Sequence, residues 1–190
     1  MPAPTAPRPP RLTHAAPPLL LLLTALATSL ACQHLWTRDD SFPDEALRLL
    51  QDMAPSHTQH CHLQEPPLFP DTLLRNNLHP QQAAPAALRI LQHLFHTLTN
   101  NTTPQHWHTW PRNQLLNQLQ HRIHQLEHCL PDNATLRKGP RNSLLTINKY
   151  FRDIHLFLHA HHHSACAWDH VRLEARHSLL HLHNLTRTMR

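Results

Sequence analysis

The chain has 190 residues, with 17 Lys plus Arg against 12 Asp plus Glu for a formal charge of +5, 22 histidines and a single glycine, Gly139. That length holds one domain with a real core. One glycine cannot write a GxGxxG loop, a Walker loop or a GxSxG nucleophile elbow, which need it for positive φ or close backbone approach. Aromatic and β-branched residues are sparse beside Leu, Gln, Arg, Ala and His, so an all-α domain is predicted.

The first 31 residues are expected to be a secretory signal. Arg8 and Arg11 form a basic start, Pro17 to Leu30 an apolar core with Leu19 to Leu23 unbroken, and Ser29-Leu30-Ala31 offers the small residues that a signal peptidase reads. The apolar run is shorter than the roughly 20 residues of a spanning helix, so no membrane insertion is expected after cleavage. Residues 32–190 then form one domain. Without Arg8 and Arg11 it carries 15 Lys plus Arg against 12 Asp plus Glu, a formal +3.

A first helix is predicted from about Asp39 to Met53, with Ala46, Leu47, Leu50 and Met53 on one side and Pro55 as its stop. A long connection follows from Ala54 to about Gln82, carrying Cys61, Pro66, Pro67, Pro70 and Pro80; a loop of that length is usually functional or pinned. Helix two is expected to start near Pro85 and bury Ala87, Leu88, Leu91, Leu94, Phe95 and Leu98, ending at the Asn100 to Pro104 loop. Helix three is expected from around Pro111, which should shorten its start, with Leu115, Leu119, Ile123, Leu126 and Leu130 inward. Pro131 to Pro140 separates it from helix four, whose apolar face is Leu144, Ile147, Phe151, Ile154 and Leu158. A histidine-rich break leads into helix five, with Trp168, Val171, Ala175, Leu179, Leu182 and Leu185 inward. So short a connection makes these two helices neighbours sharing a core. No internal repeat is visible.

Cys32, Cys61, Cys129 and Cys166 form an even set in an exported chain, which reads as two disulfides; spacing leaves all three pairings open. Asn100, Asn101, Asn133 and Asn184 stand in Asn-x-Ser/Thr triplets and are candidate glycosylation sites. On helix five, Asp169, Leu173, Arg176 and Leu180 form a second face where leucines alternate with charges, the pattern of a partner surface.

Five helices with one long early crossover is the pattern of a secreted helical cytokine. The run Tyr150-Phe151-x-Asp153-Ile154-x-x-Phe157-Leu158, followed after seven residues by Cys166-Ala167-Trp168, resembles the signature of type I interferons. The likeness spans the mature chain: Cys32 at its start, Cys61 in the first loop, Leu91-Gln92-His93-Leu94-Phe95, Trp107, Cys129, and Asp169-x-Val171-Arg172-x-Glu174. Asp52-Met53-Ala54-Pro55 and His183-Asn184-Leu185-Thr186 are most similar to bird-type alpha interferons.

The resemblance implies a five-helix class II cytokine bundle of the up-up-down-down type, with Cys32 paired to Cys129 and Cys61 to Cys166. It implies a secreted, monomeric, extracellular protein of antiviral innate immunity. That protein engages both subunits of a cell-surface interferon receptor and triggers JAK-STAT signalling. In the family the last helix and first long loop meet the tighter-binding subunit, and helices two to four the weaker one. Arg172, Leu173 and Arg176 match receptor-contacting positions, Leu180 continues their face, and Lys149 keeps the basic character usual in helix four. The chain departs from the family at His62 and Glu65 in the first loop and at Asn148, which replaces a basic residue.

Rival readings are another secreted four-helix cytokine and a histidine-rich extracellular metal-binding protein. His159, His161, His162 and His163 crowd one turn, and His121, His124 and His128 line one side of helix three, a spacing able to bind zinc or copper. The reading adopted is that histidine fills solvated positions; no cofactor and no metal-ligand set is assigned. No spacing holds a nucleophile beside a base, so no enzyme is expected. The basic residues are dispersed rather than patched, so neither is nucleic-acid binding.

Overall fold

The computed structural model describes residues 41–54, 63, 67–75, 78, 80–130 and 143–188. The predicted signal segment, Cys32, Cys61, His62, Glu65 and Asn133 lie outside these. Among the described residues there are six helices and no strand: α1 Phe42–Asp52, α2 Asp71–Arg75, α3 Pro80–Leu98, α4 Thr109–Cys129, α5 Ser143–Ala160 and α6 Ala165–Thr188.

Five of the six match the predicted helices. The addition is α2, a five-residue turn inside the stretch expected to be loop. One turn is too short to show a 3.6-residue period, which is why the sequence hides it. Its start is set locally: the Leu73 amide donates to the Pro70 carbonyl at 2.9 Å, and Asp71 puts a negative charge on the positive end of the turn. The connection also feeds the core, since Phe69, Leu73 and Leu78 are all buried.

Two boundaries differ from expectation. Helix α3 begins at Pro80, so Pro85 lies inside it, where its missing N–H removes one backbone bond without ending the helix. Helix α4 begins at Thr109, which places Pro111 in the first turn, where its lost donor has no helical partner to miss. Arg112 in that turn reaches back to the end of α3, its Nε and Nη2 donating to the Leu98 carbonyl at 3.1 and 2.9 Å and Nη2 to that of Asn100 at 3.2 Å. Carbonyls at a helix C-terminus lack intrahelical donors, so a guanidinium there closes α3.

Helix α3 packs against α4, α5 and α6, while α1 packs against α4 and α6. Their inward stripes merge into one core of Leu, Ala and Ile around Trp168, Phe151 and Tyr150. Trp168 is fully buried and meets Trp107 edge to face, ring centroids 5.5 Å apart. The loop bearing Trp107 is also tied to α1, the His108 amide donating to the Met53 carbonyl at 2.8 Å. Truncating so large a buried ring costs about 3–5 kcal/mol in comparable cores.

The turn between α5 and α6 is built without glycine. His162 and His163 adopt φ of 51° and 52°, the left-handed region that disfavours any residue with a Cβ. The geometry is that of a Schellman closure: the His163 amide donates to the Leu158 carbonyl at 2.8 Å. Ser164 then caps α6, its Oγ accepting from the Ala167 amide at 3.3 Å. Replacing His162 with glycine should raise stability by roughly 0.5–1 kcal/mol, read as a higher unfolding midpoint. An unchanged or lower midpoint would show that the two left-handed residues carry no strain.

His181 sits in the core, 4% exposed, its ring 5.2 Å from that of Phe69 and its Nε2 without a hydrogen-bond partner. Burial disfavours its charged form and lowers its pKa from 6.5 to about 4. The unfolded chain therefore binds this proton more tightly than the folded one. His181 adds no protonation-linked cost above pH 6.5 and destabilises progressively as pH falls toward 4. His181→Phe should flatten the loss of stability between pH 6.5 and 4 in denaturant titrations; an equally steep loss would place the acid sensitivity elsewhere.

Candidate functional surface

Nothing among the described residues has the arrangement of a reaction centre. The groove between α3 and α4 is lined by Gln92, Phe95, Asn117, His121, His124 and Glu127. It holds no nucleophile beside a base, and Glu127 is engaged by the Gln92 amide at 2.8 Å. Among the described residues, no group of three or more His, Cys, Asp and Glu side chains is placed to hold a metal.

Leu68 and Trp110 are exposed singly, and the other exposed large hydrophobics fall on two helical stripes. On α6, Leu173 and Leu180 are 48% and 37% exposed, with Arg176 and His177 exposed between them and Asn184 and Arg187 continuing the line. These steps of three and four place them on one face, opposite the buried Val171, Ala175, Leu179 and Leu182. Arg172 stands at its edge, half-buried, with Nε in a dry position without a hydrogen-bond partner. Asp169, expected on the same face, is also half-buried, and burial pushes its carboxyl above the usual range.

The second stripe, on α5, was not read from the sequence. Leu145 and Leu156 are 65% and 60% exposed and bracket the exposed Lys149 and Arg152. Positions 145, 149, 152 and 156 step by four, three and four, a helical spacing present in the sequence as the complement of the inward stripe of α5. Both helices thus carry a pair of exposed leucines enclosing basic residues, the mix of apolar anchors and arginine enriched at protein interfaces.

Four contacts hold these stripes in place. Tyr150 Oη donates to Glu174 Oε2 at 2.8 Å in a buried setting, and burial together with the carboxylate pushes the phenol far above its ordinary pKa. Phe69 from the long connection meets the Tyr150 ring edge to face at 5.1 Å. His93 of α3 stacks on Phe151 at 4.8 Å and its Nε2 bonds Asn148 Oδ1 at 2.8 Å. The Asn148 that departs from the family pattern therefore ties α3 to α5. Burial lowers the pKa of both His93 and His155, so these, like His181, charge less readily in acid than a free histidine.

The remaining predicted sites are dispersed. Cys129 and Cys166 are each engaged in a disulfide, while Cys32 and Cys61 lie outside the described residues. Asn101 is exposed and Asn100 half-buried, the latter's Oδ1 accepting from the amide and hydroxyl of Thr102, both at 2.9 Å. Asn184 is exposed, but Thr186 of its triplet is buried and donates its hydroxyl to the His183 carbonyl at 2.7 Å.

The interferon alpha/beta domain family model matches residues 35–189. The chain is 49% identical over 175 residues to interferon type B of Gallus gallus, covering 90% of this chain and 86% of that one. It is 45% identical over 172 residues to interferon type A1/A2 of the same species, covering 88% and 89%. The fold matches that of zebrafish interferon 1 with a TM-score of 0.69 at 20% identity, covering 83% of this chain and 99% of that one. A match across nearly all of the helical region, close to half-identical in birds, places the chain in the type I interferon family, whose members are cytokines and not enzymes.

Proposed function

We propose that the chain is a secreted interferon that binds both subunits of a cell-surface interferon receptor and starts JAK-STAT antiviral signalling. The reading is carried by the two leucine-flanked basic stripes on α5 and α6. Large apolar side chains exposed in pairs at helical spacing, with arginine or lysine between them, are the composition of a docking face.

In this account Arg172, Leu173, Arg176 and Leu180 engage the tighter-binding subunit, and Lys149 with Leu145, Arg152 and Leu156 the weaker one. Arginine suits such a face because its planar guanidinium offers several donors at once. The half-buried Arg172 contributes from the edge of the face. Export by a signal ending at Ala31 would supply the oxidising compartment for Cys32–Cys129 and Cys61–Cys166 pairing, the second of which ties the first long loop to the start of α6. Family membership and the engagement of Cys129 and Cys166 support that pairing. Glycosylation is assigned to Asn100 or Asn101, and to Asn133 and Asn184, with the buried Thr186 making Asn184 the poorest acceptor once α6 has formed.

Leu173→Ala and Arg176→Ala should each lower reporter induction in chicken cells about tenfold or more in half-maximal dose, the scale of an interface hot spot. Gln105→Ala, at an exposed position in the loop between α3 and α4 and outside both stripes, is the comparison. Unfolding midpoints should change little for the exposed Leu173 and Arg176. Wild-type potency in both α6 variants would remove this face from the receptor contact, and silence of the folded wild-type protein would remove the signalling assignment.

A further inference from the structure

Two imidazoles one helical turn apart on α4 face each other at the surface beside the α3–α4 groove. His124 and His128, four residues apart, both exposed, turn their rings to an 88° dihedral with centroids 4.2 Å apart. Their Nε2 atoms approach to 3.0 Å. Neutral imidazole keeps one ring nitrogen protonated and one bare, so this approach needs opposite tautomers sharing one proton.

We propose that His124 and His128 form a two-imidazole chelate for a divalent transition metal with right-angled ligand geometry, copper(II) or nickel(II), the other positions being filled by water. Metal–imidazole bonds run about 2.0–2.1 Å, so nitrogens 3.0 Å apart subtend about 91–97° at the metal. That angle suits neighbouring corners of a square or octahedron, the arrangement of copper(II) and nickel(II). A tetrahedral site would need nitrogens about 3.3–3.4 Å apart at the same bond length.

The other facing histidine pairs are less suited. His96 with His155 and His159 with His163 have ring centroids 5.4 and 6.5 Å apart. His121, one turn before His124, bonds Gln125 instead, Nε2 to Nε2 at 2.8 Å. Three histidines line this side of α4, and the geometry selects two.

The test is copper(II) titrated into the full mature chain, read by paramagnetic broadening of histidine ring resonances. The His124 and His128 signals should broaden together at substoichiometric metal. His124→Gln and His128→Gln should each weaken that event by at least the about 10–100-fold typical of losing an outer-shell partner, while His121→Gln leaves it in place. Because His124 and His128 are exposed, circular dichroism should report the same fold for all three variants. Broadening that spares this pair, or that is reduced equally by His121→Gln, would overturn the proposal.

Discussion

Tyr150 and Glu174 meet where water does not reach, and the outer surface of the molecule takes its arrangement from that meeting. Glu174 is 5% exposed, and the Tyr150 hydroxyl holds its carboxylate at 2.8 Å. A buried carboxylate without a donor costs several kcal/mol, so α5 and α6 are locked at the rotation that satisfies it. Successive helical residues lie about 100° apart around the axis. Tyr150, Phe151 and Ile154 together turn one side of α5 inward, which leaves Lys149 and Arg152 on the other; Val171, Glu174 and Ala175 do the same on α6 and leave Leu173 and Arg176 outside. The leucine pairs on the two helices then follow at steps of three and four. Phe69 pressing on Tyr150 and His93 stacking on Phe151 hold the same rotation from the connection and from α3.

Much of the fold was legible because leucine dominates and the helices are long. Each predicted inward stripe from Ala46 to Leu185 is buried or half-buried, since a period of 3.6 sustained over four or more turns has few competing explanations. What stayed hidden was local. Helix α2 is one turn long, and the Pro80 and Thr109 starts were obscured by prolines read as boundaries when both sit inside the helices. The surface was half legible: the α6 face was visible because charges interrupt its leucines, whereas the α5 stripe is a complement to a strong apolar face. Nor could spacing show that Glu174, a charged member of the family motif, points inward.

Histidine, 22 in all, is this chain's compositional peculiarity, and among the described residues several are set apart by their surroundings. His93, His155 and His181 are drawn into packing, where burial keeps them neutral further into acid. His162 and His163 bend the chain where glycine would be expected. His124 and His128 face each other on the surface. Solvated filling, the reading from sequence, fits the exposed His124, His128 and His162 but not the buried His181 or the half-buried His93 and His155.

Hydroxyl-radical footprinting of the mature chain, free and with each receptor ectodomain, tests the central claim most directly because it labels exposed leucine side chains. The account predicts that one subunit shields Leu173 and Leu180 and the other Leu145 and Leu156, while the exposed Trp110 on α4 stays labelled with both. Shielding of Trp110 with all four leucines still labelled would contradict it.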